Sequence, residues 1–230
     1  MTVLPFQAVL FDCDGVLVDS EPITARVLAT MLGELGWPLT PDDALRIFVG
    51  KTVQDEAPLI QSRTGFTVTE EWLAEFRARR NQALDEDLQP IAGAAQAVQA
   101  LHETLGGRIA VASGADLPKI ELQLRKIGVY EYFAGRFFSG QVTPRNKPAP
   151  DVYLAAANAL GVAPERCAVV EDTVTGATAG VAAGATVFGY SPGGPGHDST
   201  QALLRVGALQ VFHDMRDLPA LLAQAGQAVA

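Results

Sequence analysis

The sequence predicts an α/β protein: a doubly wound, Rossmann-like parallel sheet carrying an inserted α-helical cap. Short apolar runs end at acidic or small polar turns, as buried strands do. Segments of helical period alternate with them through most of the chain. One long stretch, from about Ser20 to Gln89, holds helical patterns alone. The 230 residues, 48% of them hydrophobic, suffice for a sizeable core in one domain or a domain with an insertion.

The first strand is Ala8 to Phe11, an apolar run stopped by the turn Asp12-Cys13-Asp14-Gly15. Asp19, Ser20 and Pro22 then form a helix-start signal. Ile23, Val27, Leu28, Met31, Leu32 and Leu35 recur at helical spacing until Gly36 and Pro38. Further helical patterns cover Asp42 to Phe48, Val53 to Arg63 and Glu70 to Leu84, and Pro90 and Gly93 mark the return. Four more strands follow: Ile109 to Ala112, Ala168 to Val170, Thr186 to Phe188 and Gln210 to Phe212. Between them, Leu117, Ile120, Leu124 and Ile127 are expected on one helix face, and Leu154, Ala157 and Leu160 on another. Strands separated by helices imply right-handed crossovers. The expected division is therefore a core of residues 1–19 and 90–230 and a cap of residues 20–89. Ligands of open parallel sheets bind beyond the carboxyl ends of the strands, so an insertion leaving the first strand reads as a lid.

Composition narrows the partners. A net charge of −9 argues against nucleic acid and anionic membrane. An anionic substrate then needs a few placed cations and a metal to attract it locally. The segment MTVLPFQAVLFDCDG reads as neither signal nor transit peptide, and no run is long enough to span a bilayer. The two cysteines, Cys13 and Cys167, make no disulfide framework or zinc site and read as buried thiols in a reducing cytoplasm. A cytoplasmic monomer or weak homodimer is expected, with no nucleic-acid or membrane partner.

Asp12 and Asp14 carry the first chemistry. Spaced two apart, their carboxylates fall on the same side and repel, a cost that a cation or a shared proton offsets. A hard divalent ion ligated by oxygen, such as Mg²⁺, answers it. Taken alone, the turn is equally a solvated acidic loop. A second pair, Glu171 and Asp172, follows the strand Ala168 to Val170 and reaches the same sheet edge. Acids converging from separate strand ends call for a metal. Gly176, Ala177 and Gly180 in the next helix read as close packing. Ser113 and Gly114 end another strand ahead of a helix, an anion-binding position as well as a plain turn. Lys147, stiffened by Pro148 and Pro150, is either a surface lysine or a cation beside Asp12.

These segments (LFDCDGVLVDSE, the Ser113 strand end, Lys147 in KPAPD, and VVEDTVTG) together resemble the four signature motifs of the haloacid dehalogenase superfamily, in order and across nearly the whole chain. Within it the chain is similar to β-phosphoglucomutase-like phosphatases, including bacterial sugar-phosphate phosphatases of the 6-phosphogluconate type. The resemblance implies a Mg²⁺-dependent phosphatase with Asp12 as nucleophile and Asp14 as acid and base. It assigns the metal to Asp12, the Asp14 carbonyl and Asp172, with Glu171 in direct or indirect support. Ser113, Gly114 and Lys147 are assigned to phosphate.

The cap departs from the mutase pattern, with Thr24 where the mutases carry a histidine and Val53 where they carry an arginine, which favours hydrolysis over isomerisation. Glu21, Lys51 and Arg80 are the cap-side candidates for the rest of the substrate. Each also has an ordinary reading, as a helix-end charge or a solvated face. His197, in SPGGPGHDS, is a possible residue at the site edge, or a surface loop histidine. The competing functions are a sugar-phosphate mutase and, from another class, a phosphoryl-accepting signalling module.

Overall fold

The computed structural model describes residues 4–194 and 196–225; residues 1–3, where the N-terminal segment read above begins, lie outside them. In chain order the elements are β1 (Ala8–Phe11), α1 (Glu21–Glu34), α2 (Pro41–Phe48), α3 (Ala57–Thr64), α4 (Glu70–Asp87), α5 (Ala94–Thr104), β2 (Ile109–Ser113) and α6 (Leu117–Lys126). Then come α7 (Tyr130–Phe133), β3 (Phe137–Ser139), α8 (Asp151–Ala159), β4 (Cys167–Glu171), α9 (Val174–Ala182), β5 (Thr186–Tyr190), α10 (Thr200–Arg205), β6 (Gln210–Phe212) and α11 (Leu218–Ala225).

The strands form one parallel sheet in the order β3-β2-β1-β4-β5-β6. The doubly wound α/β class expected above is the class observed. β1 is paired on both edges, and apolar clusters cover both its faces. Val9 and Phe11 enter one apolar cluster, Ala8 and Leu10 the other. A continuous apolar run is what a strand buried on both faces requires. The chain winds outwards from β1 to β3, then crosses to β4 on the opposite side. The winding therefore reverses between β1 and β4, where a crevice opens at the carboxyl ends. Register makes those ends level: Phe11 pairs with Val111 and Val170, which brings Asp12 beside Glu171.

Helices α1 to α4 follow β1 directly. Proline in the first turn starts α1, and a Thr40–Asp43 capping box starts α2. Helix α3 begins four residues later than expected, because Thr52 Oγ1 accepts the Asp55 N–H at 3.1 Å and forms a turn first. These helices bury an apolar cluster of their own, built on Leu28, Met31, Leu32, Leu45, Phe48, Ile60 and Phe76. Ile23 and Leu84 belong instead to the sheet's cluster. The outgoing and returning chains are paired: the Asp19 N–H donates to the Gln89 carbonyl at 3.1 Å, and the Ile91 N–H to the Leu17 carbonyl at 3.0 Å.

Three further expectations are corrected. A sixth strand, β3, was not expected: its two phenylalanines between Arg136 and Ser139 are too short a run to stand out, yet Ser139 pairs with Ser113. On α6, Leu117 is 36% exposed, while Lys119 and Gln123 are buried beside Ile120 and Leu124. On α8, Leu154 is exposed and the inner face is Val152, Tyr153, Ala156 and Ala157. Both misreadings have one cause, since each helix turns a polar tip towards the crevice. No helix among the described residues is long and apolar enough to cross a membrane.

The same substitution at two glycines is expected to give opposite signs. Gly33, in α1, has nothing within 4 Å of an added methyl, so Gly33→Ala should raise unfolding stability by about 0.5–1 kcal/mol. At Gly180 the methyl meets Val187 Cγ2 at 2.8 Å and Val169 Cγ1 at 3.0 Å. Overpacking of about 1–3 kcal/mol should there outweigh the helical gain. Urea unfolding of the two variants checks both.

Candidate active site

The Asp12 N–H donates to the Val170 carbonyl at 3.0 Å, so the acidic turn starts while the chain is still bonded to β4. Two glycines let the carboxylates approach. Gly15, at φ +77°, would place a Cβ 2.1 Å from Asp172 Oδ2, and a Cβ on Gly176 would lie 1.7 Å from Glu171 Oε1. The small residues at the start of α9 thus make room for an acid as well as for packing.

Lys147 Nζ bridges Asp12 Oδ1 at 2.7 Å and Glu171 Oε1 at 2.6 Å. Tyr153 OH also donates to Glu171 Oε1, at 2.7 Å. Glu171 Oε2 accepts the Asp172 N–H and the Thr173 hydroxyl, each at 3.2 Å. Glu171 is therefore fully engaged by protein. Asp172 is not: its Oδ1 is buried with no hydrogen-bond partner among the described residues. Oxygens of Asp12, Glu171 and Asp172 lie within 4.8 Å of one another, all buried. Burial pushes the Asp12 carboxyl up to about 7 against the pull of Lys147. Burial, reinforced by Glu171, pushes Asp172 well above the carboxylate range. Buried carboxyl oxygens with one orphaned atom are a donor set suited to a hard divalent cation.

The Asp14 carboxylate stands apart from that cluster. Its Oδ1 receives Lys119 Nζ and Gln123 Nε2, each at 2.7 Å, and the Ser20 hydroxyl. Burial alone would raise its pKa; Lys119, Ser20 and Gln123 overcome burial and hold it at about 2. Ser20 precedes α1, but its side chain makes no cap bond to that helix. Sequence reasoning missed Lys119 and Gln123. The available signal was their spacing, one helical turn apart just after the Ser113 strand end, on a row taken for solvent.

Above the acids lies a cavity of about 460 Å³, lined by Asp12, Asp14, Ser113, Gly114 and Lys147 from below. Ser113 Oγ accepts the Ala115 N–H at 3.1 Å. Asn146, also missed, ties this corner together: its amide donates to the Gly114 carbonyl at 3.1 Å and accepts the Lys147 N–H at 2.8 Å. Glu21, Thr24, Lys51, Val53 and Arg80 line the other side. Arg80 is no solvated face: it is 6% exposed and paired with Asp116 Oδ2 at 2.9 Å. Lys51 is half-exposed and paired with Glu56 at 3.1 Å. Burial pushes Glu21 up to about 7, with Lys119 pulling the other way. The Thr24 hydroxyl is buried with no partner among the described residues. His197 is not a surface residue either, with a side chain 11% exposed.

Residues 6–184 match the model of the haloacid dehalogenase-like hydrolases. The chain belongs to that family. Among its relatives, 6-phosphogluconate phosphatase of Escherichia coli K12 is 34% identical over 79% of this chain and 81% of its own. Hexitol phosphatase B of the same organism is 29% identical over 76% and 79%. A family hydrolase from Deinococcus radiodurans, solved with bound phosphate and sodium, is 38% identical and covers 97% of this chain and 98% of its own, with a TM-score of 0.78. Within this family of named phosphatases, the chain is an enzyme, a phosphoric monoester hydrolase.

Lys147→Met should leave Glu171 buried beside Asp12 without its cation. The expected loss is about 3–5 kcal/mol of unfolding stability, by analogy with half-removed buried ion pairs. Denaturant unfolding measures it, and a variant as stable as the parent would contradict the bridging role.

Proposed function

We propose that the chain is a Mg²⁺-dependent phosphatase that hydrolyses a small sugar or polyol phosphate through an aspartyl-phosphate on Asp12. In this reading residues 20–89 cap a core of residues 1–19 and 90–230. The observation that carries it is the Asp12 carboxylate, held by Lys147 beside Glu171 and Asp172 beneath a polar cavity. Asp12, Asp172 and the Asp14 carbonyl would hold Mg²⁺, with Glu171 supporting them through Lys147. When bound, the ion neutralises charge on the phosphoryl oxygens.

The chain's own groups then divide the work. Ser113, Gly114 and Lys147 hold the phosphate and place phosphorus against Asp12, which attacks and releases an alkoxide. Asp14 protonates that alkoxide and later takes a proton from the water that hydrolyses the aspartyl-phosphate. Its pairing with Lys119 keeps it a carboxylate, the state needed in the second step. A phosphate dianion entering beside it raises its proton affinity for the first. Glu21, Lys51, Thr24 and Arg80 meet the rest of the substrate. Arg80, already joined to Asp116 at the start of α6, also ties the cap to the core. Val53 and Thr24 offer no cation to anchor a second phosphate, which favours water as the acceptor. The relatives named above direct the choice of substrates to sugar acids and hexitols bearing one phosphate. The enzyme is proposed to act in the cytoplasm, as a monomer or weak homodimer.

Phosphate release from a sugar-phosphate panel including 6-phosphogluconate tests this. Turnover should require Mg²⁺, stop in chelator and fall about 10³-fold or more in Asp12→Asn. Undiminished activity in chelator or in that variant would remove the mechanism. Conversion of β-glucose 1-phosphate to glucose 6-phosphate faster than phosphate release would replace it with the mutase reading.

A further inference from the structure

The site's two acidic turns, after β1 and after β4, are bonded to a third element. The loop after β5 reaches both through consecutive residues. His197 Nε2 lies 3.0 Å from the Gly15 carbonyl, which can only accept, so Nε2 carries the hydrogen. The same atom is 3.9 Å from Asp172 Oδ2. The next residue grips the other turn: the Asp198 N–H donates to the Asp172 carbonyl at 3.0 Å, and its carboxylate accepts the Val174 N–H at 2.6 Å. The loop is fastened in turn. Ser191 Oγ donates to the Asp198 carbonyl at 2.8 Å, and the Ser191 N–H to Phe212 in β6 at 2.9 Å. Tyr190 packs edge-on against the imidazole, with centroids 5.8 Å apart.

We propose that His197 and Asp198 form a clasp that fixes the distance between the Asp12–Gly15 turn and Asp172, and so sets the affinity of the acidic cluster for its divalent cation. Neither residue is a catalytic group; both are positioning residues. The constraint is mechanical. Gly15 lies so close to Asp172 that a single methyl would collide with it, and past the end of the β1–β4 pairing the loop bonds Gly15 and Asp172 directly. Without the clasp the two turns lose these bonds and are freer to separate when no cation is bound, and bringing them together again weakens binding. His197 Nδ1 is buried with no partner among the described residues. The ring is thus held for the bond it makes at Nε2.

The proposal rests on the metal reading given above, and the test separates the two. Mg²⁺ binding to the full chain, free of substrate, is measured by titration calorimetry for the parent, His197→Leu, His197→Gln and His197→Asn, with folding checked by circular dichroism. His197→Leu should weaken Mg²⁺ binding about tenfold or more, the usual scale for residues that orient ligands from behind. The glutamine amide can still donate to Gly15 and should hold affinity within about threefold of the parent, whereas the shorter asparagine should not. Equal affinity in His197→Leu and the parent overturns the clasp, as does equal weakening in the leucine and glutamine variants. If the leucine variant fails to fold, the glutamine–asparagine difference decides, and its absence overturns the proposal. A parent that binds no divalent ion removes the metal reading itself, a result distinct from any of these.

Discussion

One ammonium group makes this arrangement of acids possible. Lys147 Nζ touches Asp12 and Glu171 at once, and both carboxyls are buried. Four acids meet at this edge of the sheet, Asp12, Asp14, Glu171 and Asp172, against two cations, Lys119 and Lys147. The acids outnumber the cations, an excess that a bound metal cation would offset. Burial first, and neighbouring carboxylates after it, push Asp12 and Asp172 upwards. In the proposed reading, a divalent cation and a phosphoryl group complete this site.

Topology makes the concentration of charge feasible. Because the winding reverses between β1 and β4, no crossover helix covers the gap between their ends, and the acidic turns face a cavity instead of a packed layer. Residues of α1 and α4 line that cavity opposite the acids, while Ile23 and Leu84 stay anchored in the sheet's own apolar cluster. Polar contacts at the cavity wall also tie these helices to the sheet side. Ser20 reaches Asp14, and Arg80 reaches Asp116.

The parts legible in the sequence were those written as contiguous patterns. The apolar runs of β1, β2, β4 and β5 stand out because buried parallel strands seldom carry polar interruptions, whereas the half-exposed edge strand β6 is weaker, and the acids at the ends of β1 and β4 are adjacent in sequence to what positions them. Residues brought in from a distance were harder to read. Lys119 and Gln123 look like the outer row of an amphipathic helix until α6 is seen to turn them on Asp14. His197 lies in a glycine-rich loop whose path no periodicity encodes. Arg80 sits in a run of arginines in which its neighbour Arg79 is a solvated surface charge, and the distinction comes from Asp116 across the cavity. β3 escaped notice because an edge strand of three residues carries little pattern of its own.

The central claim is that Asp12 itself carries the phosphoryl group. Asp14→Asn incubated with Mg²⁺ and p-nitrophenyl phosphate tests it most directly, because that leaving group needs no proton while hydrolysis of the intermediate needs the missing base. Mass spectrometry of the quenched protein should show one added phosphoryl group on the peptide containing Asp12, removed by hydroxylamine as an acyl phosphate is. Release of nitrophenol in one rapid burst with no adduct at Asp12, or an adduct at another residue, would contradict the account.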